Sequence, residues 1–174
     1  MDEVVITEYD PCWPSLFAQE SARLRTGLPP HLITRIEHFG STAVPQLAAK
    51  PIIDLLVGVR SLAMAQQVAV TPLAQLGYAY WHENPDPRRL FFVKGLPPNG
   101  PRTHHVHMVE PHSPLWERLR FRDYLCQHAD EAARYAQLKY RLAQDLAGDR
   151  EAYTKAKADY IESVMQKVRQ QSIR

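Results

Sequence analysis

Asp54 is a carboxylate placed where carboxylates are costly. It lies inside the apolar run 52–59, and an isolated charge in such a setting loses its hydration. The sequence must supply it with a partner: a cation, a hydrogen-bond donor or a metal ion. The candidates stand in "RTHHVHM", where His105 and His107 fall on one face of an extended chain and His104, Val106 and Met108 on the other. Two imidazoles at i and i+2 can chelate one metal or act as an acid/base pair. Glu37, at the end of the strand-like run before Gly40, is a further ligand candidate. Asp54, His105 and His107 are the expected catalytic residues, and with Glu37 the expected metal ligands. Imidazole favours a transition metal (zinc, manganese, nickel or iron) over magnesium, which prefers octahedral oxygen. The metal-free alternative pairs a protonated histidine with Asp54.

A second chemistry is suggested by Gly40-Ser41-Thr42, which directly follows the strand-like run. A Gly-Ser turn exposes backbone N–H groups and a hydroxyl, and glycine lets a phosphate approach closely. An ordinary turn with Ser41 capping a short helix accounts for the same residues. Cations suited to an anion are present. Lys50 precedes Pro51 at the mouth of the Asp54 strand; Lys139 lies in "YAQLKYRLA" beside Tyr135, Leu138 and Leu142; Lys157 lies in "YTKAKADYI". Arg88, Arg89, Lys94 and Arg102 flank a Pro-rich hairpin and read as solvated charges. Gly40, Ser41, Thr42, Lys50 and Lys139 are the expected cofactor-binding residues.

These residues need elements to hold them. Strands are predicted over 4–8, 32–38, 52–59, 78–82, 90–94 and 103–109, from runs rich in Ile, Val, Leu and aromatics. Helices are predicted over 13–28, with Pro14 in the tolerant first turn, and over 61–76, capped by Ser61 and stopped by Gly77. Beyond residue 113 the pattern becomes helical, over about 113–128, 130–147 and 149–170. Tyr135, Leu138, Leu142 and Leu146 mark one face of the middle helix. The expected fold is α/β (α+β), a mixed sheet with flanking helices and a helical C-terminal third. The length of 174 residues suits a single domain over 1–174, sheet-rich to 110 and helical from 113.

Composition narrows the setting. The chain has 21 basic and 19 acidic residues, a net charge of +2. A surface built to coat nucleic acid is not indicated, and nucleic acid is not an expected partner. Cys12 and Cys126 show no motif spacing and suit a reducing compartment. No apolar run approaches the roughly 20 residues of a membrane span. A cytoplasmic protein that does not engage the membrane is expected.

Gly-Ser followed by Asp in the next strand resembles the nucleotidyltransferase superfamily signature, in which the Gly-Ser turn holds a triphosphate and strand carboxylates bind metal. That signature has a second acid at i+2, where this chain has Leu56. The longer run "IEHFGSTAVPQLAAKPIIDLLVGV", with "THHVHMV", "FRDYL", "YAQLKYRLA" and "YTKAKADYI" in the same order, resembles the GrpB family. That family is assigned to the nucleotidyltransferase fold, and members occur fused to dephospho-CoA kinase. The single acid is usual in it; Gln46 departs from the glycine that usually follows "AVP". The resemblance implies a protein acting on or binding a nucleotide or another phosphorylated small molecule. It leaves open an enzyme, as a metal-dependent nucleotidyl- or phosphoryl-transferase, or a non-catalytic nucleotide- or coenzyme-binding module. A folding or assembly accessory is the weakest alternative.

Overall fold

The computed structural model describes residues 4–96, 100–146 and 148–171. A first helix, α1 (Trp13–Gly27), leads into β1 (Ile33–Phe39), a short 3-10 turn (Ser41–Ala43), and β2 (Ile53–Val59). Helix α2 (Leu62–Gln75) follows, then β3 (Tyr78–Tyr80), β4 (Arg89–Lys94) and β5 (His104–Val109). The rest is helical: α3 (Arg118–Gln127), α4 (Ala129–Asp145), α5 (Arg150–Ala156) and α6 (Ala158–Gln171). The strands form one mixed sheet in the order β1-β2-β5-β4-β3. Only β2 and β5 run parallel, and the other neighbours are antiparallel.

Strand alternation divides the sheet into two chemically distinct faces. Ile53, Leu55, Val57 and Val59 of β2 join Val106 and Met108 of β5 in a core closed by α1 and α2. Each such side chain contributes about 1.5–3 kcal/mol on burial. On the opposite face, Leu56 and Val109 pack against Leu119 of α3, with Phe39 and Trp116 beside them. Helix α4 anchors on the segment after the 3-10 turn, where Val44 and Leu47 meet Leu125, Ala132 and Tyr135. The apolar residues of β2 thus fix both layers, and the polar residue Asp54 takes the face that α3 and α4 approach.

Local chemistry accounts for most boundaries. The Ser61 hydroxyl accepts from the Met64 N–H at the start of α2, and Gly77 leaves that helix at a φ of 87°, as a C-terminal glycine does. The expected strand at 4–8 is instead a single bridge between Thr7 and Ala49. Among the described residues the segment forms no ladder beyond this pair with a buried loop residue. The helix expected over 113–128 starts at Arg118, after turns held by bonds such as Trp116 N–H to Ser113 O. The helix expected over 149–170 is two helices, parted at Lys157. Among the described residues no helix is long and apolar enough to cross a membrane.

Candidate functional site

Register brings the carboxylate and the two imidazoles together. Parallel pairing of β2 with β5 sets Asp54 beside His105 and Leu56 beside His107, so His107 reaches Asp54 along the diagonal. His105 Nδ1 lies 3.0 Å and His107 Nε2 3.4 Å from the same Asp54 oxygen, Oδ1. The three side chains form a group whose potential ligand atoms lie within 4.8 Å of one another. The Asp54 side chain is 25% exposed, against 11% and 9% for His105 and His107, so the centre meets solvent on its carboxylate side.

The surroundings set the proton positions. Arg89 Nη1 approaches His107 Nδ1 at 3.2 Å, and Asn84 Oδ1 accepts from Arg89 Nε at 3.0 Å. Arginine has no acceptor, so His107 Nδ1 must carry the lone pair and its proton resides on Nε2, facing Asp54. Burial lowers the His107 pKa and outweighs the opposing pull of Asp54, with Arg89 adding to the depression. His105 Nδ1–H faces Asp54 as well, which leaves its Nε2 as a buried acceptor without a hydrogen-bond partner among the described residues. Burial would raise the Asp54 pKa, but the bonds from His105 and His107 prevail and hold it far below the usual carboxylate range. Phe91 stacks on His107 at 4.8 Å and meets His105 edge-on at 5.1 Å.

The turn before β2 is shaped to this carboxylate. Gly40 has a φ of 74° and a ψ of −168°, a combination essentially restricted to glycine. A Cβ at Gly40 would stand 2.5 Å from Asp54 Oδ2. Glycine is therefore required by its backbone angle and by the carboxylate it faces. Thr42 is buried, and its hydroxyl bonds His38 Nε2 at 3.0 Å and the Ile52 carbonyl at 3.3 Å. That hydroxyl ties the turn to the strands rather than facing a ligand. Burial pushes His38 down to about 4, against the pull of Asp54 and with repulsion from Arg122.

Glu37 does not join the three. It accepts from Arg35 Nε at 2.8 Å and from Arg122 Nη1 at 3.1 Å, while the same Arg122 nitrogen donates to the His38 carbonyl. Its strand neighbour is Leu56 rather than Asp54, so its expected role as a metal ligand has no geometric support. It docks α3 onto β1.

Lys50 and Lys139 gather at a second position. Lys139 is 1% exposed, donates to the Ala48 carbonyl, and holds its ammonium 4.7 Å from the Tyr135 ring centroid. Lys50 and Lys157 both lie against the ring of Tyr153, at 5.1 and 4.4 Å. Burial pushes the Tyr135 hydroxyl up to about 12, opposed by the Ser41 hydroxyl and Arg118 and reinforced by the charge of Asp54. Sequence reasoning took Arg89 for a hairpin charge. Its place on His107 becomes visible only when the β4–β5 register sets Phe91 opposite His107.

A mixed five-stranded sheet, carrying a carboxylate–imidazole centre against a Gly-Ser turn and closed by C-terminal helices, defines the class of protein. Within that class, residues 3–167 match the family described as GrpB protein, and the chain belongs to it. It is 46% identical over 166 residues to a UPF0157 protein of Pseudomonas aeruginosa, covering 94% of this chain and 67% of that one. It is 32% identical over 165 residues to the glutamate-rich protein GrpB of Alkalihalophilus pseudofirmus, covering 94% of both. The chain spans 46% of the length of the UPF0157 protein YqkA of Bacillus subtilis, to which it is 40% identical. The crystal structure of conserved protein GrpB from Enterococcus faecalis superposes with a TM-score of 0.85 at 32% identity, over 98% of this chain and all of that one. A shorter likeness, 43% over 75 residues, joins 40% of this chain to 18% of a dephospho-CoA kinase of Mycobacterium leprae.

Proposed function

We propose that the protein acts on a nucleotide or another phosphorylated small molecule at the Asp54–His105–His107 centre, with the Gly40–Ser41 turn on the phosphate side. The observation that carries this is the fit of Gly40 to Asp54, which presses a Gly-Ser turn onto the one carboxylate of the centre. The local likeness to a dephospho-CoA kinase supports nucleotide or coenzyme chemistry. Asp54 fixes the His105 tautomer through Nδ1, and the buried Nε2 would have to be uncovered before it could take a proton from a hydroxyl or water.

The centre is read here without a metal. An imidazole that ligates a metal ordinarily donates its other N–H to an acceptor. At His107 that other nitrogen faces Arg89, a donor, and at His105 it faces no partner. The spacing of Asp54, His105 and His107 supports a second reading, one transition-metal ion held by the same residues. That reading needs Arg89 to leave His107.

A non-catalytic binding module draws support from Leu56. The position that would carry a second carboxylate is fully buried against Val109 and Leu119. Incubation of the purified protein with nucleoside triphosphates, with and without manganese, zinc or magnesium, tests these readings. Turnover in chelator that is lost in Asp54→Asn supports the metal-free enzyme. Turnover only with added metal supports the second reading, binding without turnover the module, and neither binding nor turnover overturns all three.

A further inference from the structure

The loop between β3 and β4 delivers a guanidinium to His107, and Asn84 organises that loop. The Asn84 amide donates to the Asp86 carbonyl at 2.7 Å and to the Arg89 carbonyl at 2.9 Å, while its Oδ1 accepts from Arg89 Nε at 3.0 Å. Asp86, the acid nearest to Arg89 in sequence, is engaged by Arg88 through Nε at 2.9 Å and Nη2 at 3.2 Å. Arg89 is left to His107, whose Nδ1 lies 3.2 Å from Nη1. Asn84 and Arg89 are both half-buried. The guanidinium stands 5.1 Å from the ring centroid of Phe91, the same ring on which His107 stacks.

A guanidinium is best matched by a carboxylate, which can take its N–H groups in pairs. Here it meets a neutral imidazole instead. Asn84 alone would tie Arg89 to the loop through Nε, so holding the loop does not explain the second contact. The contact acts on His107. The ring nitrogen that faces Asp54 is Nε2, at 3.4 Å, and a metal ion shared with Asp54 and His105 would need its lone pair. A neutral imidazole that ligates through one nitrogen carries its proton on the other. At His107 that proton would point at the N–H of Arg89, two donors face to face with no acceptor between them. An imidazolium meets the same obstacle.

We propose that Asn84 and Arg89 are positioning residues: they hold His107 as a neutral ring protonated on Nε2, a fixed donor to Asp54, and so bar the Asp54–His105–His107 group from taking a transition-metal ion. The proposal rests on the functional reading above for its choice of centre, and it decides between the metal-free and metal-bound forms of that reading. It also divides the two imidazoles. His107 is a fixed donor, and His105, whose Nε2 has no hydrogen-bond partner among the described residues, is the ring left to change its proton.

Two readouts on purified, untagged protein test this without any substrate. Long-range proton–nitrogen correlation spectra of protein labelled at histidine, with the His107 ring assigned by the loss of its signals in His107→Ala, read the tautomer. Cobalt(II) titration followed by visible absorption reads metal binding. The wild type should show one His107 tautomer, unprotonated at Nδ1, and the weakest cobalt binding of the series. Arg89→Gln exchanges a group that can only donate for an amide that can also accept. It should let the proton move to Nδ1 and raise cobalt affinity about tenfold to a hundredfold. Asn84→Ala keeps the guanidinium but unclasps it, and should give mixed tautomers with an intermediate cobalt affinity; if Arg89→Gln fails to fold, this variant carries the test. A wild-type His107 protonated at Nδ1, or cobalt affinity that is equal or nil in the wild type and both variants, overturns the proposal. A protein that binds no nucleotide loses the functional reading while both readouts keep their force. Nucleotide turnover in chelator, together with equal cobalt binding by the wild type and Arg89→Gln, keeps the functional reading and overturns this one.

Discussion

Two of the polar groups that this protein takes out of water, the Asp54 centre and Lys139, are stabilised in different ways. The Asp54 centre is balanced within itself: one carboxylate oxygen accepts from two imidazoles, and Arg89 holds one of those rings from behind. Lys139 is a single cation taken out of water, donating to the Ala48 carbonyl and lying over the ring of Tyr135. The first is a set of hydrogen bonds that the fold satisfies at Asp54 and His107 and leaves open at His105 Nε2. The second is a desolvated amine whose neutral form burial favours. The difference teaches how two groups removed from water come to prefer opposite charge states. It also predicts opposite responses to pH and to mutation.

The largest effect should come at the turn that fits the first centre. Gly40→Ala places a methyl in a glycine-only backbone region and 2.5 Å from Asp54 Oδ2. The expected loss is about 3 kcal/mol or more, read as a lower urea midpoint. Stability within 1 kcal/mol of the wild type would show that turn and carboxylate are not fitted to one another.

Asp54→Ala leaves two buried N–H groups without their acceptor, at a cost of about 2–4 kcal/mol. Lys139→Met loses one bond to Ala48 but also removes a desolvated cation, so it should change stability at pH 7 by less than Asp54→Ala. A larger loss at Lys139 would reverse the contrast between the two regions.

The pH responses separate them further. Lys139 has its folded pKa depressed to about 7, so between there and its ordinary value the unfolded state binds more protons. Wild-type stability should therefore rise relative to Lys139→Met from pH 7 to 10, by about 3–4 kcal/mol. Asp54 has a depressed carboxylate pKa, so its contribution is present above about pH 4 and is lost as pH falls below that. His38, depressed to about 4 by burial, makes the fold lose stability earlier, as pH falls from about 6.5 toward 4. Chemical denaturation at stepped pH reads all three. A Lys139 difference that is flat or falls between pH 7 and 10 would contradict its desolvated placement.

The smallest expected effect is a gain. Gln46 occupies the left-handed region at a φ of 61°, which favours glycine. Gln46→Gly should raise stability by up to about 1 kcal/mol, relief of Cβ strain offset by unfolded-state entropy. A loss would show that the Gln46 side chain contributes contacts that outweigh the strain.

Much of the fold was legible because the apolar runs are unambiguous. The runs at 33–39, 53–59 and 104–109 alternate or saturate as strands do, and Ser61 and Gly77 mark the ends of α2. The segment 4–8 misled because local β-propensity cannot reveal that, among the described residues, it pairs only through the single Thr7–Ala49 bridge. The helix break at Lys157 was hidden because no proline or glycine marks it. Convergence of Asp54 with His105 and His107 could be suspected from spacing alone. Glu37 could not be separated from them, since its competing arginines lie on its own strand and in α3. Arg89 and Tyr153 depended on register and on helix packing, and neither is written in a local pattern.

The most direct measurement is a calorimetric titration of nucleoside mono-, di- and triphosphates into the wild type, Ser41→Ala and Asp54→Asn, repeated in chelator. If the Gly40–Ser41 turn and the Asp54 centre form one nucleotide site, at least one of these ligands binds the wild type. Its affinity should fall about tenfold in Ser41→Ala, with a melting temperature nearly unchanged. Binding to none of them, or equal binding by all three proteins, would contradict the central claim.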